Sequence, residues 1–373
     1  MIRTSRRACL ALAATPALLA ARPARSQGRE AVSEASVAAM LALSDTPGAS
    51  FAQVSSDGQV TAGAAGYAKA GEVKATRETL FEAASLSKPV FAVAVLESAR
   101  QGRIDLDRPI QADLPFTDDA LARRITPRHV LSQSTGLPNW REAAAPLASR
   151  FEPGSAFGYS GEGYFLLQRL VEALSGRTAA QVVRTLVLDP AGMSASRYGW
   201  DAGEHPAVAF AHDDDSKIIA DQGPAGFEAR RDAGPARPVE TWSQADREAA
   251  VKAQGKPAAP MFMTPNMAAG LWTTAGDYGR FLVFARRYPE MSRRVTPVKA
   301  TLSWGLGWGL EERDERRFAW HWGSNAGVRN LFAVDLATGE GFVTLTNGEN
   351  GPKVYQRTAR QALGHEFDAF LWL

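Results

Sequence analysis

The sequence predicts an α+β fold: an antiparallel β-sheet flanked by helices, with a mainly helical lobe inserted in the middle of the chain. Three observations predict it. Strand-like alternation is confined to the two ends, at about 50–67 and 305–346. A segment apolar on every side begins near residue 85, and helical apolar spacing dominates about 110–200. Strands gathered at the ends, with helices between and around them, do not fit the βαβ alternation of a parallel sheet.

The first 26 residues read as an export signal outside the fold. Arg3, Arg6 and Arg7 precede an apolar stretch from Ala8 to Ala21, and Ala24-Arg25-Ser26 offers small residues for cleavage before Gln27. Thr4-Ser5-Arg6-Arg7 adds a twin-arginine pattern, although an arginine pair also suits an ordinary charged start. The apolar stretch holds Pro16 and is short for a membrane span of ~20 residues. Cys9 is the only cysteine, so the mature chain has none and its core must supply the stability. Five arginines and no acid lie in 1–26, so a formal charge of +2 becomes 2 − 5 = −3 after cleavage. That balance gives no electrostatic case for nucleic acid. A periplasmic or secreted location is expected, with no membrane span once the signal is removed.

The elements follow in order. Residues 29–43 form an amphipathic helix with Val32, Ala35, Val37, Met40 and Leu41 apolar. Ser50–Val54 and Val60–Tyr67 alternate around Asp57-Gly58, a hairpin signal. A third extended segment ends near Phe81. A buried central helix runs from Ser85, its expected N-cap, through Pro89 to Gly102. Thr126-Pro127 starts a helix. Ser160–Leu174 is a helix ending at Gly176, and Thr178–Leu188 is another. Residues 201–262, with Asp213-Asp214-Asp215 and many Gly, Pro and Ala, read as long loops. Thr274-Ala275-Gly276-Asp277 is a capping box opening a helix to Arg287. Strands follow at Gly305–Leu310, Phe318–His321, Leu331–Leu336 and Phe342–Thr346, then a helix from about Lys353 to Phe370.

The chemistry centres on Ser85-Leu86-Ser87-Lys88. Three residues apart on a helix, a hydroxyl and an amine share one face, and a serine beside a neutral amine is an activated nucleophile. Alone, the motif reads equally as a capping serine with a surface lysine. Two later segments decide between these: Phe151-Glu152-Pro153-Gly154-Ser155-Ala156-Phe157-Gly158-Tyr159-Ser160-Gly161-Glu162-Gly163-Tyr164, and Trp320-His321-Trp322-Gly323-Ser324-Asn325-Ala326-Gly327. In isolation Tyr159 reads as a core tyrosine, His321 as a satisfied strand histidine, and the tryptophans as core or pocket wall. No Gly-x-Ser-x-Gly occurs, and five histidines without paired ligand spacing give no metal site. No cofactor is expected.

With these segments in this order, the chain resembles the serine hydrolases of the class C β-lactamase, D-alanyl-D-alanine carboxypeptidase and family VIII esterase group. The resemblance extends to Ile125–Pro138, Gly270–Ala275 and Gly305–Gly309 and covers roughly 45–350. It implies a β-lactamase/transpeptidase-like fold, with 27–373 as one domain and the helical lobe at about 110–270. It also implies roles: Ser85 as acylated nucleophile, Lys88 as base, Tyr159 as proton shuttle, and the backbone N–H groups of Ser85 and Ser324 as oxyanion donors. His321, Trp322 and Gly323 match the third motif, and Gly161 stands at a substrate-contacting position.

Two departures bear on the substrate. Gly161 replaces an asparagine that in lactamases binds the substrate's side-chain amide. His321 replaces a lysine that would pair with a substrate carboxylate, and an unperturbed histidine (pKa ~6.5) is mostly neutral at pH 7. Both lean toward small esters or amides, of esterase or D-amino-acid peptidase type. A class C type β-lactamase is the alternative within the same chemistry, and a non-catalytic penicillin-binding or peptidoglycan-sensing protein the alternative outside it.

Overall fold

The computed structural model describes residues 32–142, 145–199 and 207–372; the export segment expected at 1–26 lies outside the described residues. Helix α1 (Glu34–Ser44) starts on a capping box between Ser33 and Ser36 and buries Val37 and Leu41. Strands β1 (Gly48–Val54) and β2 (Val60–Lys69) pair around the Asp57-Gly58 turn, from Gly48↔Gly66 to Val54↔Val60, and β3 (Val73–Lys74) extends that edge. Strand β4 (Phe81–Glu82) leads into α2 (Ser87–Arg100). The lobe contains α3 (Pro127–Leu131), α4 (Gly161–Ser175), α5 (Ala179–Val183), α6 (Gly223–Asp232) and α7 (Gln244–Ala253). The chain returns through β5 (Trp272–Thr273), which pairs with β4, and α8 (Ala275–Ala285). Strands β6 (Thr296–Lys299), β7 (Leu302–Trp304), β8 (Gly309–Arg313), β9 (Arg316–Asn325), β10 (Val328–Asp335) and β11 (Gly341–Thr346) follow, then α9 (Gly351–Leu363) and α10 (Ala369–Trp372).

Among the described residues nine of these strands form one antiparallel sheet, ordered β3-β2-β1-β11-β10-β9-β8-β7-β6, and β4 and β5 form a separate pair. The two ends of the chain meet inside the larger sheet, where β1 pairs with β11 from Ala49↔Thr346 to Val54↔Gly341. Period-two alternation divides the strands between two cores. Leu331, Ala333 and Phe342 face a core shared with α1 and α9; Phe332, Val334, Val343 and Leu345 face one shared with α2 and α8. Val90, Phe91, Val93, Val95 and Leu96 of α2 are all buried. Each such side chain contributes about 1.5–3 kcal/mol relative to exposure, so α2 is the central post of the molecule.

Several expectations are corrected. Ser85 does not cap α2: the chain makes a 3-10 turn at Ala84–Leu86, and Leu86 is the N-cap. The stretch 110–200 is not uniformly helical, because its described residues between α3 and α4 run in turns and extended backbone, where Gly136, Pro138, Pro153 and Gly154 interrupt any helix. Residues 201–262 are not only loops; they contain α6 and α7. Arg247 of α7, wholly buried, pairs with Glu172 of α4 and ties this region to the lobe. The Thr274 box is half formed. Thr274 accepts from the Asp277 N–H, but the Asp277 carboxylate accepts instead from Ala195 N and Ser196 Oγ. The strand expected from Gly305 begins at Gly309, after a turn in which Gly307 takes φ +106°, and two further strands, β6 and β7, precede that turn. The closing helix breaks at Gly364 (φ +59°) into α9 and α10.

Candidate active site

The chain reaches Ser85 through a strained corner, Ala84 at φ +49°. Three neighbours hold it. Ser87 Oγ donates to Ala84 O (2.6 Å) and accepts from Leu271 N (3.0 Å). Tyr278 Oη donates to Leu86 O (2.9 Å), and Tyr198 Oη to Ser87 O (3.2 Å). Because helix α2 starts only at Ser87, the Ser85 hydroxyl is not spent on capping. It is also the one residue between Ala83 and Leu96 that is not fully buried.

Lys88 lies on the next turn, 1% exposed. Its Nζ donates to Ser85 Oγ (3.1 Å) and to Ala268 O (2.9 Å), and sits 4.9 Å from the Tyr159 ring centroid and 5.6 Å from that of Tyr164. With no carboxylate partner among the described residues, burial pulls the ammonium down to about 7. At neutral pH a large fraction of Lys88 therefore carries a free lone pair within reach of Ser85.

Tyr159 is positioned by Gln133, which sequence reasoning did not single out. Gln133 sits at φ +53°; its carbonyl accepts from Gly158 N and its Oε1 from Ser160 N, each at 2.8 Å. The residues on either side of Tyr159 are thus gripped by one side chain and its backbone. Ser160 then caps α4, accepting from Gly163 N (2.9 Å). The Tyr159 phenol oxygen is buried and approaches Ser85 outside hydrogen-bond geometry. Burial raises its pKa, with the Ser85 hydroxyl pulling weakly the other way.

Strand β9 forms the opposite wall. His321 is wholly buried, its ring 5.1 Å from that of Trp322, 5.4 Å from that of Trp304 and 6.1 Å from that of Tyr159. Its Nδ1 lies 2.6 Å from Trp322 O, so Nδ1 carries the proton and the unpartnered Nε2 is an acceptor. Burial, and then the positive charge of Lys88, push its pKa down to about 3. The imidazole is therefore neutral. Gly323 lies against the Ser85 turn; a β-carbon there would sit 2.4 Å from Ala83 O. This close approach brings Ser324, which is exposed, beside the turn. Asn330 on β10, paired with Gly323, donates to Glu82 O (2.9 Å), and Asn325 donates to the Glu82 carboxylate. These bonds lock the end of β9 to β4.

Ser85, Lys88, Tyr159, His321, Trp322 and Gly323 thus converge, with Ser324 beside them. Gly161 is different. A β-carbon on it would lie 2.5 Å from the Trp140 ring, and its N–H is taken by Asn139 Oδ1 (3.0 Å). Trp140 fills the space where the expected asparagine would project. Gln133, Trp140 and Asn330 had no sequence signal of their own, because their roles arise from contacts between distant segments.

A family model described as Beta-lactamase matches residues 34–366, and the chain belongs to this family. It is a serine hydrolase by that membership. Penicillin-binding protein 4 of Amycolatopsis lactamdurans is 24% identical over 367 residues, covering 85% of each chain. Esterase EstB of Burkholderia gladioli is 31% identical over 150 residues, which are 31% of this chain and 38% of the esterase. A penicillin-binding protein of Bacillus subtilis (strain 168) is likewise matched over 34% of its length. A class C beta-lactamase structure superposes with a TM-score of 0.69 at 15% identity, covering 89% of this chain and 97% of that one, and shares the fold.

Proposed function

We propose that this chain is an exported serine hydrolase that forms an acyl-enzyme on Ser85 and cleaves small esters or amides. The observation that carries the reading is the Lys88 amine, buried to a pKa of about 7 and 3.1 Å from Ser85 Oγ. Neutral Lys88 accepts the Ser85 proton as Oγ attacks the substrate carbonyl. The backbone N–H groups of Ser85 and Ser324 receive the developing oxyanion. Tyr159 relays the proton to the departing alcohol or amine, and water then releases the acid.

Substrate preference follows from the two departures. Trp140 over Gly161 leaves no side-chain amide at 161 to recognise an acylamino group, and neutral His321 offers a hydrogen-bond acceptor where a cation would hold a carboxylate. Esters or amides without an obligatory carboxylate fit both, and the likeness to an esterase supports the same reading. Turnover of a p-nitrophenyl short-chain ester and of a chromogenic cephalosporin, measured in parallel with Ser85→Ala as control, tests this. Ester turnover that depends on Ser85 is expected; fast cephalosporin turnover without esterase activity makes the chain a β-lactamase instead. The export part is tested separately by the mass of the mature chain, expected to begin at Gln27.

A further inference from the structure

Beside Tyr159 runs a row of half-buried aromatic rings: Tyr159, Trp322, Trp372 and Phe157. The centroid of Trp322 is 4.8 Å from that of Tyr159, Trp372 is 5.7 Å from Trp322, and Phe157 is 5.7 Å from Trp372. Trp304, wholly buried, floors the row, 5.4 Å from Phe157 and 6.0 Å from Tyr159. None of these side chains is charged. The row is continuous with the acylation site, because its first ring is the one 4.9 Å from Lys88 Nζ.

Its far end is built by α10, a helix of four residues and too short to stand by itself. The wholly buried carboxylate of Glu311 on β8 is spent on holding this segment. It accepts from Asp368 N (3.1 Å), Ala369 N (3.0 Å) and His365 Nε2 (2.9 Å). Asp368 in turn accepts from Thr301 Oγ1 and from Arg313, each at 2.8 Å. A buried carboxylate needs such partners to offset its desolvation, and here they fix where Trp372 sits.

We propose that this row is a subsite for an aromatic leaving group, and that Trp372 is a specificity-determining residue. The inference rests on the acyl-enzyme reading above. In acylation the Ser85 Oγ–acyl bond forms, the bond from the acyl carbon to the leaving oxygen or nitrogen breaks, and the Ser85 proton ends on the departing atom. The group that delivers this proton must be within hydrogen-bond reach of the departing atom. With Tyr159 in that role, the substituent beyond the departing atom extends along Tyr159 toward Trp322 and Trp372. Flat apolar rings stack there at little entropic cost. The substrate class is therefore an ester of an arylalkyl alcohol, or the corresponding arylalkyl amide.

The test compares 2-naphthylmethyl acetate with methyl acetate, whose alcohols are of similar acidity. The ratio of their kcat/KM values is measured for the wild type, Trp372→Ala and the conservative Trp372→Phe. The wild type should favour the naphthylmethyl ester; Trp372→Ala should lower the ratio about tenfold, and Trp372→Phe should restore most of it. A ratio in Trp372→Ala equal to that of the wild type overturns the subsite while leaving the acyl-enzyme reading intact. Calorimetric binding of 2-naphthylmethanol to the same proteins reads the subsite without catalysis. Affinity weakened about tenfold in Trp372→Ala supports the subsite, and equal affinity overturns it, even if no ester is turned over and the acyl-enzyme reading fails.

Discussion

Trp140 occupies the space that a side chain at Gly161 would need. A β-carbon on Gly161 would lie 2.5 Å from the Trp140 ring, well inside van der Waals contact. The missing asparagine is therefore not a simple deletion. A bulky ring from the loop before α4 fills the space, so a side chain at 161 would compete with Trp140 for it.

Gly161→Asn is accordingly expected to destabilise the chain by about 1–3 kcal/mol through overpacking. Trp140→Gly should relieve most of that cost when combined with it. Denaturant unfolding of the two single variants and the double variant gives the coupling energy. Simple additivity of the two effects would show that the positions do not compete for space.

Lys88 should set the acid limb of the reaction. Its pKa in the folded chain is about 7, so kcat/KM should rise with pH through about 7 and level off above it. Lys88→Met should lose at least about a hundredfold in acylation rate. The same variant should be more stable than the wild type. A buried amine with a folded pKa below its unfolded ~10.4 costs stability at pH values below that unfolded pKa, and the cost is largest below about 7. Thermal unfolding at pH 6 beside the pH–rate profile checks both halves; a limb unaffected by Lys88→Met would point to another base.

Gly323→Ala should separate folding from acylation. The added carbon would meet Ala83 O at 2.4 Å, and both are backbone positions with little freedom to yield. The expected result is a large loss of kcat/KM with a smaller loss of stability, as β9 is pushed away from the Ser85 turn. Acylation at the wild-type rate would show that this contact does not shape the site.

Much of this was legible in the sequence because local chemistry and tertiary need agree. Asp57-Gly58 makes the β1–β2 turn, Thr126-Pro127 opens α3, and Ser160 and Gly176 bound α4 as caps. The convergence of Ser85, Lys88, Tyr159 and His321 was legible through motif order. What escaped depends on contacts between distant segments. Ser85 looks like an N-cap, but Ala84 sits at φ +49° in a turn held by the Ser87 Oγ bond to Ala84 O and the Tyr278 Oη bond to Leu86 O, and the helix starts two residues later. Helices α6 and α7 have few apolar anchors and are held in part by the Arg247–Glu172 pair. Ser243 and Asp246, which form the capping box of α7, were the available signal for it. Gln133 and Trp140 act on segments more than twenty residues away, which no local pattern encodes.

Buried neutral histidines should make the fold acid-sensitive. His321 has a folded pKa of about 3, and His212, which accepts from Ala70 N and bonds Asn347 O, is also lowered by burial. Below about 6.5 the unfolded chain takes up protons that the folded chain does not, so their stabilisation is present above 6.5 and is lost as pH falls. For His321 the loss amounts to about 3 kcal/mol by pH 4. Unfolding free energies of the wild type and His321→Gln at pH 7 and pH 4 measure it. The variant should show the shallower decline; equal slopes would mean that His321 titrates normally.

The central claim is that Ser85 is the nucleophile. Treatment with a fluorophosphonate, followed by intact-mass and peptide mass spectrometry, tests it most directly. One adduct per chain is expected, on the peptide carrying Ser85, absent in Ser85→Ala and strongly slowed in Lys88→Met. A chain that remains unlabelled, or is labelled at another serine, would contradict it and favour a protein that uses this fold only to bind.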